Sequence, residues 1–128
     1  MQQVYHVWFA TRRRRWLLQG EVEGRIKALL ADTAAQHDID LLALETMIDH
    51  VHLLIRLKAN QNLSKCLNLL KGASARRIFQ EMPDIKLDAQ ADHFWQKRFG
   101  SKLVPLGAVP TLRRYIETQK ERPEKYER

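Results

Sequence analysis

The sequence predicts an α+β domain, in which short strands and amphipathic helices share one core. Short apolar segments alternate with two longer amphipathic stretches. The chain has 128 residues, the usual length of one domain, so we expect a single domain spanning 1–128. A composition of 45% hydrophobic and 29% charged residues is that of a globular protein, which excludes the disordered and fibrous classes.

The first half of the chain predicts a strand, a helix and two further strands. Val4–Thr11 is rich in β-branched and aromatic residues, so it predicts strand one, which ends at a basic loop. Glu21–His37 carries apolar residues at helical spacing and predicts helix one. Leu41–Met47 and Val51–Leu57 are short and apolar, and they predict antiparallel strands two and three with a tight connection at 48–50.

The next part of the chain predicts a long helix and a fourth strand. Helix two opens at Asn62 and runs until Met82, followed by a proline that ends it. Its predicted apolar face consists of Leu63, Cys66, Leu67, Leu70, Ser74 and Ile78. A loop at Asp88–Asp92 then precedes strand four at His93–Val104, which we expect to be interrupted near Gly100.

A last helix closes the predicted order. Pro110 suits its first turn, the helix should stop before Pro123, and the tail to Arg128 should fray. One face of this helix carries Leu112, Tyr115, Ile116 and Gln119. The order βαββαβ predicts a ferredoxin-like, or RRM-like, antiparallel sheet with two helices on one face. The other face is left for ligands or for the additional C-terminal helix that carries the tyrosine.

The charge of the chain favours a polyanionic partner. Twenty-two Lys and Arg against fifteen Asp and Glu give a net charge of +7. Nucleic acid is the leading class of partner, and an acidic membrane surface is the weaker alternative. No apolar run reaches the length of about 18 residues that spans a bilayer, and the start lacks the order of a signal peptide. Cys66 is the single cysteine, so no intrachain disulfide forms, and we expect a cytoplasmic protein.

Strand three carries two histidines on one face. Alternation directs Val51 and the following odd-numbered residues to the core, and His50 and His52 to the opposite face. Two adjacent imidazoles on an extended backbone can hold one divalent metal ion. Two neighbouring surface histidines without a bound metal ion would give the same pattern, so the pattern alone does not establish a metal site. Asp49 is either a turn residue or a group that orients an imidazole, and the turn is the favoured interpretation.

Tyr115 and Gln119 are four residues apart on the last helix, so both can enter one site. As an alternative, Tyr115 is an amphipathic residue that fills the core beside Leu112 and Ile116. Gln119 fits this alternative less well, because an amide on the packing face needs a polar partner.

Four motifs occur in an order that resembles a known family. They are Tyr5–Thr11 (YHVWFAT) before a basic run, Met47–Leu54 (MIDHVHLL), Leu70–Arg76 (LKGASAR) and Arg114–Gln119 (RYIETQ). Together they span nearly the whole chain. In these motifs the chain resembles the single-tyrosine HUH transposases of insertion sequences, the TnpA type. The segment 96–109 departs from the pattern usual in that family, which leaves the DNA specificity open.

The resemblance implies a mechanism and a set of site residues. It implies that His50 and His52 bind a divalent metal ion, Mg²⁺ or Mn²⁺, that Gln119 is the third ligand, and that Tyr115 is the nucleophile. The implied reaction cuts and rejoins single-stranded DNA, with or without hairpin ends, through a 5′-phosphotyrosine. The resemblance further implies a homodimer in which the tyrosine helix completes the partner's site.

Basic and aromatic residues are the expected contacts to DNA. The predicted phosphate contacts are Arg12, Arg13, Arg14, Arg15, Lys65, Lys71, Arg76 and Arg77. Trp8, Trp16 or Trp95 can stack on an unpaired base, although tryptophans also fill cores and arginine runs often form solvated loops. The competing function is a non-catalytic or domesticated relative that binds single-stranded nucleic acid, and it would form no covalent adduct.

Overall fold

The computed structural model describes residues 2–85 and 93–121, which form a four-stranded antiparallel sheet with three α-helices. The strands are β1 (Gln3–Ala10), β2 (Asp40–Thr46), β3 (His50–Leu57) and β4 (Gly100–Val104). The helices are α1 (Gly20–Gln36), α2 (Leu63–Glu81) and α3 (Val109–Glu117). The strand order β2-β3-β1-β4 confirms the predicted α+β, ferredoxin-like sheet. The predicted loop at Asp88–Asp92 and the tail to Arg128 lie outside the described residues.

The main core lies between one face of the sheet and the two long helices. Val51, Leu53 and Ile55 of β3 are fully buried there, so the predicted alternation of this strand is confirmed. The helices contribute Ile26, Leu29 and Leu30 from α1 and Cys66, Leu67, Leu70 and Ile78 from α2. Burial raises the pKa of the Cys66 thiol, which therefore remains protonated at neutral pH. No helix within the described ranges is long and apolar enough to cross a bilayer.

The fourth strand is shorter than the sequence predicts. Gly100–Val104 is the regular part that pairs with β1. Before Gly100, Trp95 forms only an isolated antiparallel bridge with Thr11, and the Gln96 N–H donates to the Ala10 carbonyl at 2.9 Å. Phe94 and Trp95 are both buried in the core instead of alternating between two faces. The Lys71 ammonium group of α2 donates to the carbonyls of Gln96 and Arg98, at 2.6 and 3.2 Å. These two carbonyls are bonded to a side chain from another element, so they are not available for a regular ladder between the Trp95 bridge and β4.

A buried hydrogen bond anchors this irregular segment to α2. The Trp95 indole Nε1–H donates to Ser74 Oγ at 2.9 Å, and Ser74 is fully buried. We expect Ser74→Ala to lower the free energy of unfolding by about 1–3 kcal/mol, because the buried N–H loses its acceptor. Urea denaturation measures this change. Ser64→Ala, at an exposed position of the same helix, is the control, and equal losses in the two variants would contradict the expectation.

The outer face of the sheet, opposite the main core, carries α3. A second cluster of buried residues joins this helix to the strands: Val4, Ala43, Leu54, Val104 and Ile116. The helix ends at Glu117, earlier than predicted, and the chain continues as a 3-10 turn at Gln119–Glu121. Thr118 lies between them with φ −105° and ψ 15°, outside the helical range. Gln119 is therefore not on the α-helix, but it is buried on the face that the sequence predicts.

Candidate metal centre

The two histidines of β3 lie side by side on the outer face. The ring centroids of His50 and His52 are 5.0 Å apart, and the rings are inclined at 75°. Val51 lies between them in the sequence and faces the main core. The pleat of the strand therefore produces the predicted pair of imidazoles, on the side of the sheet that α3 covers.

Both imidazoles are oriented through Nδ1. Asp49 Oδ1 lies 2.7 Å from His50 Nδ1, and His6 Nε2 lies 3.0 Å from His52 Nδ1. A carboxylate only accepts hydrogen bonds, so His50 Nδ1 is the donor, and in the neutral imidazole Nε2 is the nitrogen with the lone pair. Arg14 Nε donates to the other Asp49 oxygen at 3.0 Å and fixes the carboxylate. The sequence favours a turn role for Asp49 over a role in orienting an imidazole. The hydrogen bond to His50 shows that Asp49 orients this imidazole as well.

Gln119 contributes a third polar group. Its Nε2 lies 3.2 Å from His52 Nε2, and the residue is 1% exposed. Because an amide nitrogen donates, His52 Nε2 is the acceptor, and His52 Nδ1 donates to His6. Gln119 Oε1 is buried and has no hydrogen-bond partner among the described residues. A half-turn of the amide exchanges its oxygen and nitrogen, which would place the oxygen beside His52 Nε2.

This donor set fits a divalent metal ion. Neutral imidazole is the form that binds metal, and burial, with help from His50 and His6, lowers the pKa of His52 to about 3. Burial raises the pKa of Asp49, but hydrogen bonds from His50 and Arg14 bring it below its ordinary value. Among the described residues, no three His, Cys, Asp or Glu side chains form a metal-binding group. The other polar side chain beside His52 is the amide of Gln119.

An ionic latch holds the Gln119 turn in place. Lys120 pairs with Glu23 of α1, and its Nζ lies 3.8 Å from Glu45 of β2. Thr46 Oγ1 donates to Glu23 at 2.5 Å, and Lys27 pairs with Glu45 at 3.0 Å. The latch comprises these five side chains. It fastens the residue next to Gln119 to two elements of the same chain, so Gln119 meets the His52 of its own sheet.

Tyr115 lies on the same face of the sheet, on α3. It lines a pocket of about 440 Å³ together with His6, Lys102 and Leu112. His6 is the residue that contacts His52, so the tyrosine pocket and the histidine pair share one side chain. His6 is a residue of this site that the sequence-based prediction does not include. The alternation of β1, which turns Val7 inward and His6 outward, is the signal that could have identified it.

The predicted DNA contacts are divided between two sides of the molecule. Arg12–Arg14 form a 3-10 turn, and Arg14 reaches Asp49 beside the histidines. The α2 residues Lys65, Arg76 and Arg77 are exposed on the helical layer, on the other side of the sheet. Lys71 is bound to carbonyls of the 96–98 segment, and burial lowers its pKa. Trp95 is a core residue, whereas Trp8 and Trp16 are 38% and 68% exposed.

Comparison with known proteins gives matches over almost the whole chain. The family model described as IS200-like transposase matches residues 1–119. The ISDra2 transposase TnpA of Deinococcus radiodurans is 34% identical over 115 residues, which cover 90% of this chain and 82% of that protein. The transposase for insertion sequence element IS200 of Salmonella typhimurium is 26% identical over 91 residues, covering 71% of this chain and 60% of the relative.

Solved structures agree with these matches. A crystal structure of a transposase from Deinococcus radiodurans R1 superposes with a TM-score of 0.76 at 34% identity, over 93% of this chain and 92% of that one. A REP-associated tyrosine transposase bound to a REP hairpin gives a TM-score of 0.66 at 13% identity. That alignment covers 91% of this chain and 66% of the other, and it shows a shared fold.

Proposed function

Because the chain belongs to the IS200-like transposase family and is therefore a DNA-transposing enzyme, we propose that it cuts and rejoins single-stranded DNA through Tyr115. His50, His52 and Gln119 hold the divalent metal ion that this reaction needs. The observation that carries the proposal is the buried, unpartnered Oε1 of Gln119, whose Nε2 lies 3.2 Å from His52 Nε2. A buried polar atom without a partner is costly unless a ligand satisfies it.

The metal ion, when bound, polarises the phosphodiester and stabilises the charge that develops during phosphoryl transfer. Two nitrogen ligands and one amide oxygen suit Mg²⁺ or Mn²⁺ at cellular metal levels. Asp49 and His6 orient the two imidazoles, so that each presents a nitrogen lone pair to the site. Loss of either orienting group would leave the ligands in place but free to rotate.

Tyr115 acts as the nucleophile in this proposal. Its hydroxyl oxygen forms a new bond to phosphorus, the bond from phosphorus to the 3′ oxygen breaks, and the hydroxyl proton is transferred so that a free 3′-hydroxyl departs. The DNA stays linked to the tyrosine through its 5′ phosphate. One ester replaces another, so the reverse attack by a 3′-hydroxyl rejoins the strand without a nucleotide cofactor.

The partner in this proposal is single-stranded DNA, including strands that carry hairpins, and the net charge of +7 favours such a polyanion. Support comes from the fold relative that is bound to a REP hairpin. The proposed phosphate contacts are the basic turn that includes Arg14 and the basic residues of α2. Since Arg14 also holds Asp49 beside His50, the phosphate nearest the metal site is expected at this turn.

The test is formation of a covalent adduct. Purified protein, Mn²⁺ and labelled single-stranded oligonucleotides from the flanks of the gene are mixed and then denatured. Label that migrates with the denatured protein supports the proposal. Binding of the same oligonucleotides without an adduct would instead support the non-catalytic nucleic-acid-binding function.

We also propose a homodimer. Gln119 contacts His52 and Lys120 pairs with Glu23 within one chain, and the same contacts would form between two chains that exchange their final helices. A mixture of His52→Ala and Tyr115→Phe proteins distinguishes the two arrangements. It forms no adduct if each helix stays on its own sheet, because neither chain then has a complete site. Wild-type dimers diluted with either variant provide the control. An adduct in the mixture would show that the helices are exchanged between subunits, as the family resemblance implies.

A further inference from the structure

A second pocket opens on the other side of the histidine pair from Tyr115. It has a volume of about 310 Å³ and lies between the first residues of β4 and the basic 3-10 turn. Its lining includes Trp8, Arg14, His50, Gln96, Arg98 and Phe99. His50 connects this pocket to the candidate metal centre, although neither Tyr115 nor Gln119 lines it. The size is at the lower end of the range for small-ligand sites.

Trp8 forms one wall of this pocket. It lies on the outer face of β1, paired in register with His52 on one side and with Gly100 on the other. The indole lies directly over Gly100, since a Cβ atom added there would be 2.2 Å from the ring. Trp8 remains 38% exposed, an unusually large fraction for a residue on a central strand of a sheet. The bare backbone of Gly100 thus makes room for a flat aromatic surface.

Positively charged side chains line the same pocket as this aromatic surface. Arg14 and Arg98 both line the pocket, and both are exposed to solvent. Arg14 is held by Asp49, so its guanidinium has a defined position beside His50. An exposed indole with nearby guanidinium groups provides the two contacts that an unpaired nucleotide needs, a stacking surface for the base and cations for the phosphate. A base inside a duplex would not be free to enter.

We propose that this pocket binds one unpaired nucleotide of the DNA strand, with its base on Trp8 and its phosphate on Arg14 and Arg98. Because His50 lines the pocket, the bound nucleotide is adjacent to the phosphate at the metal centre. The inference that this nucleotide lies next to the cleavage point depends on the function proposed above. The inference that its base binds to Trp8 does not depend on that function. Trp16 is more exposed than Trp8 but does not line the pocket, and Trp95 is buried, so Trp8 is the stacking residue.

The experiment compares base-containing DNA with abasic DNA in EDTA, where no cleavage occurs. The probes are oligo(dT) of about 20 nucleotides, longer than the binding site of one such groove, and an abasic strand of equal length. Trp8→Ala is expected to weaken oligo(dT) binding about tenfold, the effect of losing one stacked base, and to leave abasic binding unchanged. Trp16→Ala is the matched control and should change neither affinity.

Gly100→Ala provides an independent test, because it retains the Trp8 side chain and changes only the space available to it. Its methyl group displaces the Trp8 ring, so oligo(dT) binding should fall by a similar factor, and the Trp8→Ala/Gly100→Ala double variant should lose no more. Two results would refute the proposal that this pocket binds an unpaired nucleotide. One is an equal loss of affinity for abasic and base-containing DNA, and the other is no loss of oligo(dT) affinity in either single variant. If the wild type forms no adduct but the base-dependent loss occurs, the pocket is supported and the proposed cleavage chemistry is refuted.

Discussion

Tyr115→Phe is expected to abolish the covalent protein–DNA adduct, with a loss of at least about a thousandfold in the rate of cleavage. The substitution removes only the hydroxyl oxygen that would bond to phosphorus. The aromatic ring stays beside Leu112 and His6 in its pocket, so the fold and the affinity for DNA should be retained. Denaturing electrophoresis with labelled single-stranded DNA and Mn²⁺ measures the adduct, and binding in EDTA measures the affinity.

Tyr5→Phe is the matched control for this variant. The Tyr5 hydroxyl donates to Gln3 Oε1 at 3.3 Å, and the side chain packs against the main core, across the sheet from the histidines. This variant should form the adduct at the wild-type rate. An adduct that persists in Tyr115→Phe and disappears in Tyr5→Phe would identify Tyr5 as the nucleophile and refute the assignment of Tyr115.

The second large effect is expected on metal binding. His52→Ala should weaken the binding of Mn²⁺ by at least about a hundredfold, since changes to groups that merely orient a ligand already cost 10- to 100-fold. It removes one imidazole and leaves Gln119 without its neighbour. Isothermal titration of the protein with Mn²⁺ in the absence of DNA measures this affinity independently of catalysis.

Two further variants make the metal test specific. Gln119→Leu keeps the approximate volume but removes the amide oxygen, so it should weaken Mn²⁺ binding less than His52→Ala does. His37→Ala changes an exposed histidine just beyond α1 and should leave the affinity unchanged. Equal affinity in His52→Ala and in the wild type would show that the metal ion binds elsewhere.

Local periodicity explains what the sequence predicts correctly. The alternation of β3 sends Val51 and Leu53 to the core, and it thereby places His50 and His52 together on the other face. The apolar face of α2 follows in the same way from a repeat that is internal to the helix. These predictions succeed because each depends only on residues within one element.

Contacts between distant residues explain what the sequence does not predict. The residues before Gly100 resemble a strand, but their conformation depends on a lysine about 25 residues earlier that binds their carbonyls. The contact between His6 and His52 joins residues 46 positions apart and requires the register of β1 against β3. Similarly, α3 ends at Glu117 and Gln119 then contacts His52, a contact between residues 67 positions apart that helical spacing alone does not predict.

The ionic latch between Lys120 and Glu23 has a consequence for assembly. If two copies exchanged their final helices, the ionic latch broken within each chain would form again between the chains. The Gln119 contact with His52 would also form again. These bonds would then contribute almost nothing to the equilibrium between copies with exchanged helices and copies without. That equilibrium would be governed by the linker at Pro105–Ala108, which would have to straighten, and by the entropy lost when two molecules associate. Protein concentration and linker length, rather than the strength of the latch, would decide how many molecules trade helices.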